Sequence, residues 1–154
     1  MASPTDPRRF PFPPGIPIVA LLLGWGLGKL WPIPINWPAW THWLGWLLFI
    51  APWFFAFWAM ATFRRHKTEV NPLGKVTTFV TAGPFRLTRN PMYLSLMVFY
   101  CGGILAFHFS WSAILLPLVL LALHYGVIMP EERHLQTLFG EQYTEYCSRV
   151  RRWL

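Results

Sequence analysis

Two short polar stretches hold most of the residues that could do chemistry. Arg86 to Tyr93, "RLTRNPMY", sets two guanidinium groups, an Asn-Pro pair and a tyrosine at the head of an apolar run. Pro130 to His134, "PEERH", sets two adjacent carboxylates just after another. Asn90 and Pro91 have the residue types favoured at a helix N-cap and first helical position, and a helix N-terminus at a membrane surface can receive an anion. The plainer alternative is an ordinary helix start, with Arg86 and Arg89 snorkelling to anionic headgroups. Glu131 and Glu132 can bind a hydroxyl or ammonium group of a ligand, or pair with Arg86, Arg89 or the arginines that follow. Glu131 and His134 have the i, i+3 spacing of di-iron bundles, but those need two such pairs and further carboxylates, so no metal site is expected. Cys101 and Cys147 have neither disulfide-framework nor zinc-site spacing and are expected to be reduced and structural. No Ser-His-Asp or Cys-His constellation points to a protein nucleophile.

These stretches must be positioned by membrane helices. The 154 residues are 55% hydrophobic and 12% charged, with 10 Trp and 13 Phe, which is too apolar for an ordinary soluble domain. Four runs are expected to span: Pro17 to Trp31, about 22 Å at the α-helical rise and therefore short; Trp40 to Phe63, with Pro52 a kink; Met92 to Phe109; and Trp111 to Met129. Only Phe109 and Ser110 separate the last two, which predicts a tight helical hairpin. No small-residue cleavage site follows the first run, so it is read as a span and not a signal peptide. The sequence is read as one membrane domain over 1–154: a Pro-rich segment at 1–16, two spans within 17–63, and the loop, hairpin and final helix over 64–154.

The net charge of +7 is topological and does not indicate nucleic acid binding, because its basic residues lie in blocks between apolar runs. Arg8, Arg9, Arg64, Arg65, Lys67, Lys75, Arg86, Arg89, Arg133, Arg149, Arg151 and Arg152 all fall on one side of a four-span topology, and only Lys29 lies near the other. Both termini are therefore expected in the cytoplasm, together with all six acidic residues. No ionisable Asp, Glu, Lys or Arg lies deep within spans two to four, which argues against an ion-coupled transporter.

Arg64 to Asn90 is a long connection for so small a protein, and its β-branched, Gly and Pro content predicts extended and turned backbone. Thr81 to Pro84 is expected to turn. After the fourth span, Leu135, Leu138, Phe139, Tyr143, Tyr146 and Val150 recur at intervals of three and four, which predicts an amphipathic helix lying on the membrane or packed on the long loop.

Taken together, Thr81-Ala82-Gly83-Pro84-Phe85, Arg89-Asn90-Pro91-Met92-Tyr93, Glu131-Glu132 and Phe139-Gly140-Glu141-Gln142-Tyr143-Thr144-Glu145-Tyr146 with a basic tail resemble the isoprenylcysteine carboxyl methyltransferase and phospholipid methyltransferase group of integral membrane enzymes. The resemblance covers about Lys75 to Arg152 and is closest to compact bacterial members. It implies an all-α integral membrane protein of about four transmembrane helices, a cytoplasmic cofactor-binding loop and a C-terminal amphipathic helix. It also implies S-adenosylmethionine as cofactor and a lipophilic acceptor arriving from among the membrane lipids of a bacterial inner membrane.

Carried over by position, the resemblance implies backbone contacts from Thr77, Thr78, Phe79 and Val80, an aromatic wall from Phe85, helix-start contacts from Asn90, Pro91, Met92 and Tyr93, and a cofactor-binding carboxylate at Glu131. Those types suit the ligand: an adenine wants an aromatic face, a diol or ammonium wants a carboxylate, and a carboxylate wants a helix N-terminus. Methyl transfer is a direct displacement, so positioning and exclusion of water carry the catalysis. Eukaryotic isoprenylcysteine enzymes carry an Arg one turn before that Glu, where this sequence has Val127. Arg86, as a substrate contact, or Arg89, in a catalytic position, would supply the charge from the loop. His124, two turns before Glu131 on the same face of a regular helix, is a candidate base or a structural histidine. Two other classes stand beside this reading: an NADPH-dependent membrane reductase of sterol or isoprenoid type, for which little polar sequence remains to hold a second nucleotide, and a non-catalytic membrane protein.

Overall fold

The computed structural model describes residues 12–65 and 79–154. Helix α1 covers Gly15–Leu30, α2 Ala39–Arg65, α3 Pro91–Phe107, α4 Ser110–Leu123 and α5 Met129–Arg149. A short 3-10 helix at Gly83–Arg86 precedes α3, and one π-helical segment, His124–Ile128, joins α4 to α5. Among the described residues there is no strand.

By length and composition, two stretches are long and apolar enough to cross a membrane: Ala39–Thr62, and the continuous helical run Ser110–Arg149. Helices α1 and α3 are shorter apolar helices of 16 and 17 residues, about 24 and 26 Å long at 1.5 Å per residue. On α2, Trp43, Leu47, Phe54 and Phe57 are each more than 60% exposed. Such an apolar flank suits hydrocarbon and not water, as expected of an integral membrane protein.

The helices pack as two close pairs, and small residues make the approach possible. A Cβ on Gly45 of α2 would lie 2.1 Å from the Ala106 backbone nitrogen of α3, and one on Gly102 of α3 would lie 2.4 Å from that of Phe49. Between α1 and α4, Gly24 sits against Ser112 in the same way. The core gathers Leu21, Tyr93, Tyr100, Ile104, Val119, Leu123, Val127 and Ile128, and the Tyr100 hydroxyl donates to the Ser112 carbonyl at 2.7 Å.

One sequence expectation needs correction here. The hairpin turns at His108 and Phe109, with His108 in the left-handed region at φ 53°. That conformation closes α3, and the His108 ring is held by stacking on Trp37. Pro52 lies inside α2, within the span expected for it. The expected C-terminal helix is present as α5, and the π segment carries the chain unbroken into it from α4. Pro130, the second residue of α5, directly follows the π segment.

Candidate functional site

The site forms where the start of α3 meets the start of α5. Pro91 opens α3, and Asn90 occupies its N-cap position, but the Asn90 side chain does not cap the helix. Its Nδ2 donates instead to the carbonyl of Arg152, at 3.1 Å. That carbonyl also accepts from the Thr88 hydroxyl at 3.0 Å, and the Arg89 backbone N–H donates to the Arg151 carbonyl at 3.0 Å. The segment after α5 thus lies along residues 88–90, a pairing that residue types at a distance of more than 60 positions do not announce.

The two carboxylates have different fates. Glu132 accepts from Arg152 through both oxygens, with Nε at 3.0 and 3.1 Å and Nη2 at 2.6 Å, and lies 3.6 Å from Arg89 Nη1. The bond to Glu132 is the main influence holding the Arg152 guanidinium above its usual range. Glu131 accepts the Tyr93 hydroxyl on Oε2, and among the described residues no Lys or Arg pairs with it. It lies beyond the apolar run that ends at Met129. Burial pushes its carboxyl up and neighbouring Glu132 adds to that, while the Tyr93 hydroxyl opposes it. A carboxylate taken from water without a compensating cation is costly. Of the two alternatives for the Glu pair, salt bridging therefore describes Glu132, and Glu131 is left to attract a cationic or hydroxyl-bearing group.

The remaining candidates are distributed as follows. Val80 and Phe85 are buried with Ala59 in a small cluster against which Met92 packs, so the Phe85 ring belongs to an interior. The aromatic surface beside it is made by Phe79, which stacks on Phe139 at a 5.1 Å centroid distance and meets Tyr146 edge-on at 5.2 Å. Arg89 is turned toward the last turn of α5, with Nη1 2.8 Å from Cys147 Sγ, and Arg86 is exposed. Cys101 and Cys147 are both free thiols. Thr77 and Thr78 lie outside the described residues.

His124 does not share the face of Glu131. The π turn, closed by the Met129 N–H on the His124 carbonyl, takes five residues per bond where an α turn takes four. Seven residues from His124 to Glu131 then no longer make two whole turns, and the ring instead meets Tyr125 edge-on at 4.9 Å. Val127 is buried in the core beside Tyr93.

Several residues with no assigned part hold this arrangement. Gly83 adopts φ 61°, and a Cβ there would come within 2.8 Å of Thr62 Oγ1. Gly140 bends α5 at φ 49°, ψ −116°, a conformation that L side chains avoid. Beyond the bend Tyr143 and Tyr146 are buried, and the Tyr146 hydroxyl donates to the Phe85 carbonyl at 2.6 Å. The bend splits the expected amphipathic face: Leu138 stays 48% exposed and Val150 lies past the helix end. The three-residue spacing of Tyr143 and Tyr146 was the available signal for this contact; nothing local marked Thr88 or Arg152. Among the described residues no group of three His, Cys, Asp or Glu could hold a metal.

Two apolar grooves, of about 590 and 380 Å³, run along the membrane helices and not at Glu131. The larger lies between α1 and α4 and is lined by residues such as Val19, Leu23, Leu115 and Leu118.

A family model described as phospholipid methyltransferase matches residues 40–142. That segment takes in α2, the loop, the helical hairpin and α5 past its bend. No curated protein and no solved structure matches the chain.

Proposed function

Because the chain belongs to the phospholipid methyltransferase family, we propose that it is an S-adenosylmethionine-dependent membrane methyltransferase acting at the cytoplasmic face on a lipophilic or amphiphilic acceptor. The observation that carries this reading is the state of Glu131: a carboxylate that burial disfavours as an anion, held by Tyr93 and paired with no Lys or Arg among the described residues. A ligand bearing an ammonium, a sulfonium and a ribose diol offers the positive charge and the donors that such a group attracts. The residues present fit that ligand.

When bound, the cofactor supplies a methyl group on a cationic sulfur. Glu131 would hold its ammonium or diol, and Tyr93 would keep the Glu131 carboxylate oriented. The start of α3, which the Asn90 side chain leaves uncapped, would face the ligand's carboxylate with its backbone N–H groups. The aromatic group of Phe79, Phe139 and Tyr146 would offer an apolar face and keep water from the reacting centre. Arg86 is available at the surface for the head of an acidic acceptor. The cytoplasmic assignment rests on the one-sided distribution of Lys and Arg.

Calorimetry with S-adenosylmethionine, S-adenosylhomocysteine and NADPH on the detergent-purified protein tests the reading. Saturable binding of the first two, weakened in Glu131→Gln, is expected. Binding of NADPH alone, or of none by folded protein, would remove it.

A further inference from the structure

We infer that Arg152 is a positioning residue for the candidate cofactor site, acting as a single bracket between its two halves. The inference rests on the methyltransferase reading for what the site holds, but not for the bracket itself. Tyr93 belongs to α3 and Glu131 to the run of α4 and α5, so the distance between them is set by whatever ties those two helix starts together. Arg152 bonds to both. Its backbone carbonyl accepts from Thr88 and Asn90, the residues leading into α3, at 3.0 and 3.1 Å. Its guanidinium grips Glu132, next to Glu131, through Nε and Nη2.

The surroundings favour this over a surface ion pair. Thr88 is fully buried, and the Glu132 side chain is only 12% exposed. The Arg89 N–H on the Arg151 carbonyl fixes the register of the segment, and Trp153 packs against the main core beyond it. The planar fork of Arg152 limits the rotation of Glu132 in a way that a point charge would not. Arg152 reaches neither Glu131 nor Tyr93 directly, so its effect on the site passes through Glu132 and Asn90. It also lies beyond the segment 40–142 that the family model matches.

The test compares full-length wild type with Arg152→Gln, Arg152→Lys, Glu132→Gln and the Arg152→Gln/Glu132→Gln double variant in lipid nanodiscs. Affinity for S-adenosylmethionine is measured by calorimetry, and backbone hydrogen exchange is followed over residues 88–94 and 129–135, with thermal unfolding as a check on folding. Arg152→Gln is expected to weaken S-adenosylmethionine binding about tenfold and the double variant no further, because the pair acts as a unit. Arg152→Lys, which restores the charge without the fork, should recover only a minor part of the affinity, and exchange should rise in both segments of Arg152→Gln. Unchanged affinity in folded Arg152→Gln, or losses that add in the double variant, would overturn the inference. If wild type binds no S-adenosylmethionine, the methyltransferase reading falls while the bracket is still decided by exchange: unchanged protection of both segments in Arg152→Gln overturns it.

Discussion

The Tyr93 hydroxyl donates to Glu131 Oε2 across 38 positions of sequence, joining the first turn of α3 to the first turn of α5. With the Arg89–Glu132 ion pair beside it, this bond joins two separate polar stretches into one site. It also separates Glu131 from its neighbour, because Glu132 looks to Arg89 and Arg152.

That separation predicts opposite behaviour for two isosteric changes. Glu131→Gln should weaken S-adenosylmethionine binding at least about tenfold, the usual scale for losing a charge-assisted contact, and the ligand-free protein should unfold at or above the wild-type temperature because a desolvated charge that pairs with no cation among the described residues is gone. Glu132→Gln should lower the unfolding temperature, since two guanidinium groups lose their carboxylate. Equal effects of the two variants on binding and on unfolding would contradict the assignment.

Acidification should act on the same group. Burial holds the Glu131 carboxyl above its ordinary range, so the ionised form that attracts a cation is lost as pH falls through that raised value. Affinity for S-adenosylmethionine should decline over that window, before an ordinary carboxyl at about 4.3 would protonate. The linkage sign for stability is the reverse: the folded state takes up a proton more readily than the unfolded chain, so the ligand-free protein gains stability as pH falls through the same window. Calorimetric titrations from neutral pH downward check this, with Glu131→Gln as the control that should lack that part of the decline.

Tyr93→Phe keeps the ring in the core and removes only the hydroxyl. Binding should weaken several-fold, on the order of the 0.5–1.5 kcal/mol of an ordinary hydrogen bond, with little change in unfolding temperature. Tyr93→Ala should in addition destabilise the protein by about 3–5 kcal/mol, as other large-to-small core changes at aromatic positions do. Similar unfolding temperatures for the two variants would place Tyr93 outside the core.

The two left-handed glycines differ in a way that Ala substitution can read. At Gly140 nothing lies within 4 Å of an added Cβ, so Gly140→Ala carries only backbone strain, about 1–3 kcal/mol. Gly83→Ala adds a contact of 2.8 Å with Thr62 Oγ1 and should lower the unfolding temperature further. A larger loss at Gly140 than at Gly83 would mean that the bend is supported by more than its dihedral angles.

The sequence by itself determined the membrane class, the helix positions to within a few residues, and the stretches that supply the site. Those properties are written in local composition, because a run of apolar residues and an Asn-Pro helix start act on their immediate surroundings. Tertiary structure decided what each polar residue does. Glu131 and Glu132 are chemically identical neighbours, and only the packing of α3 and of the segment after α5 gives one a hydroxyl and the other two guanidinium groups. For the same reason the Asn90 side chain does not cap its helix: its Nδ2 found a long-range acceptor in the Arg152 carbonyl, at the expense of the local backbone N–H donors that Oδ1 would have received. The displacement of His124 from the face of Glu131 came from one π turn, a change of a single residue in helical register that a regular 3.6-residue period cannot express.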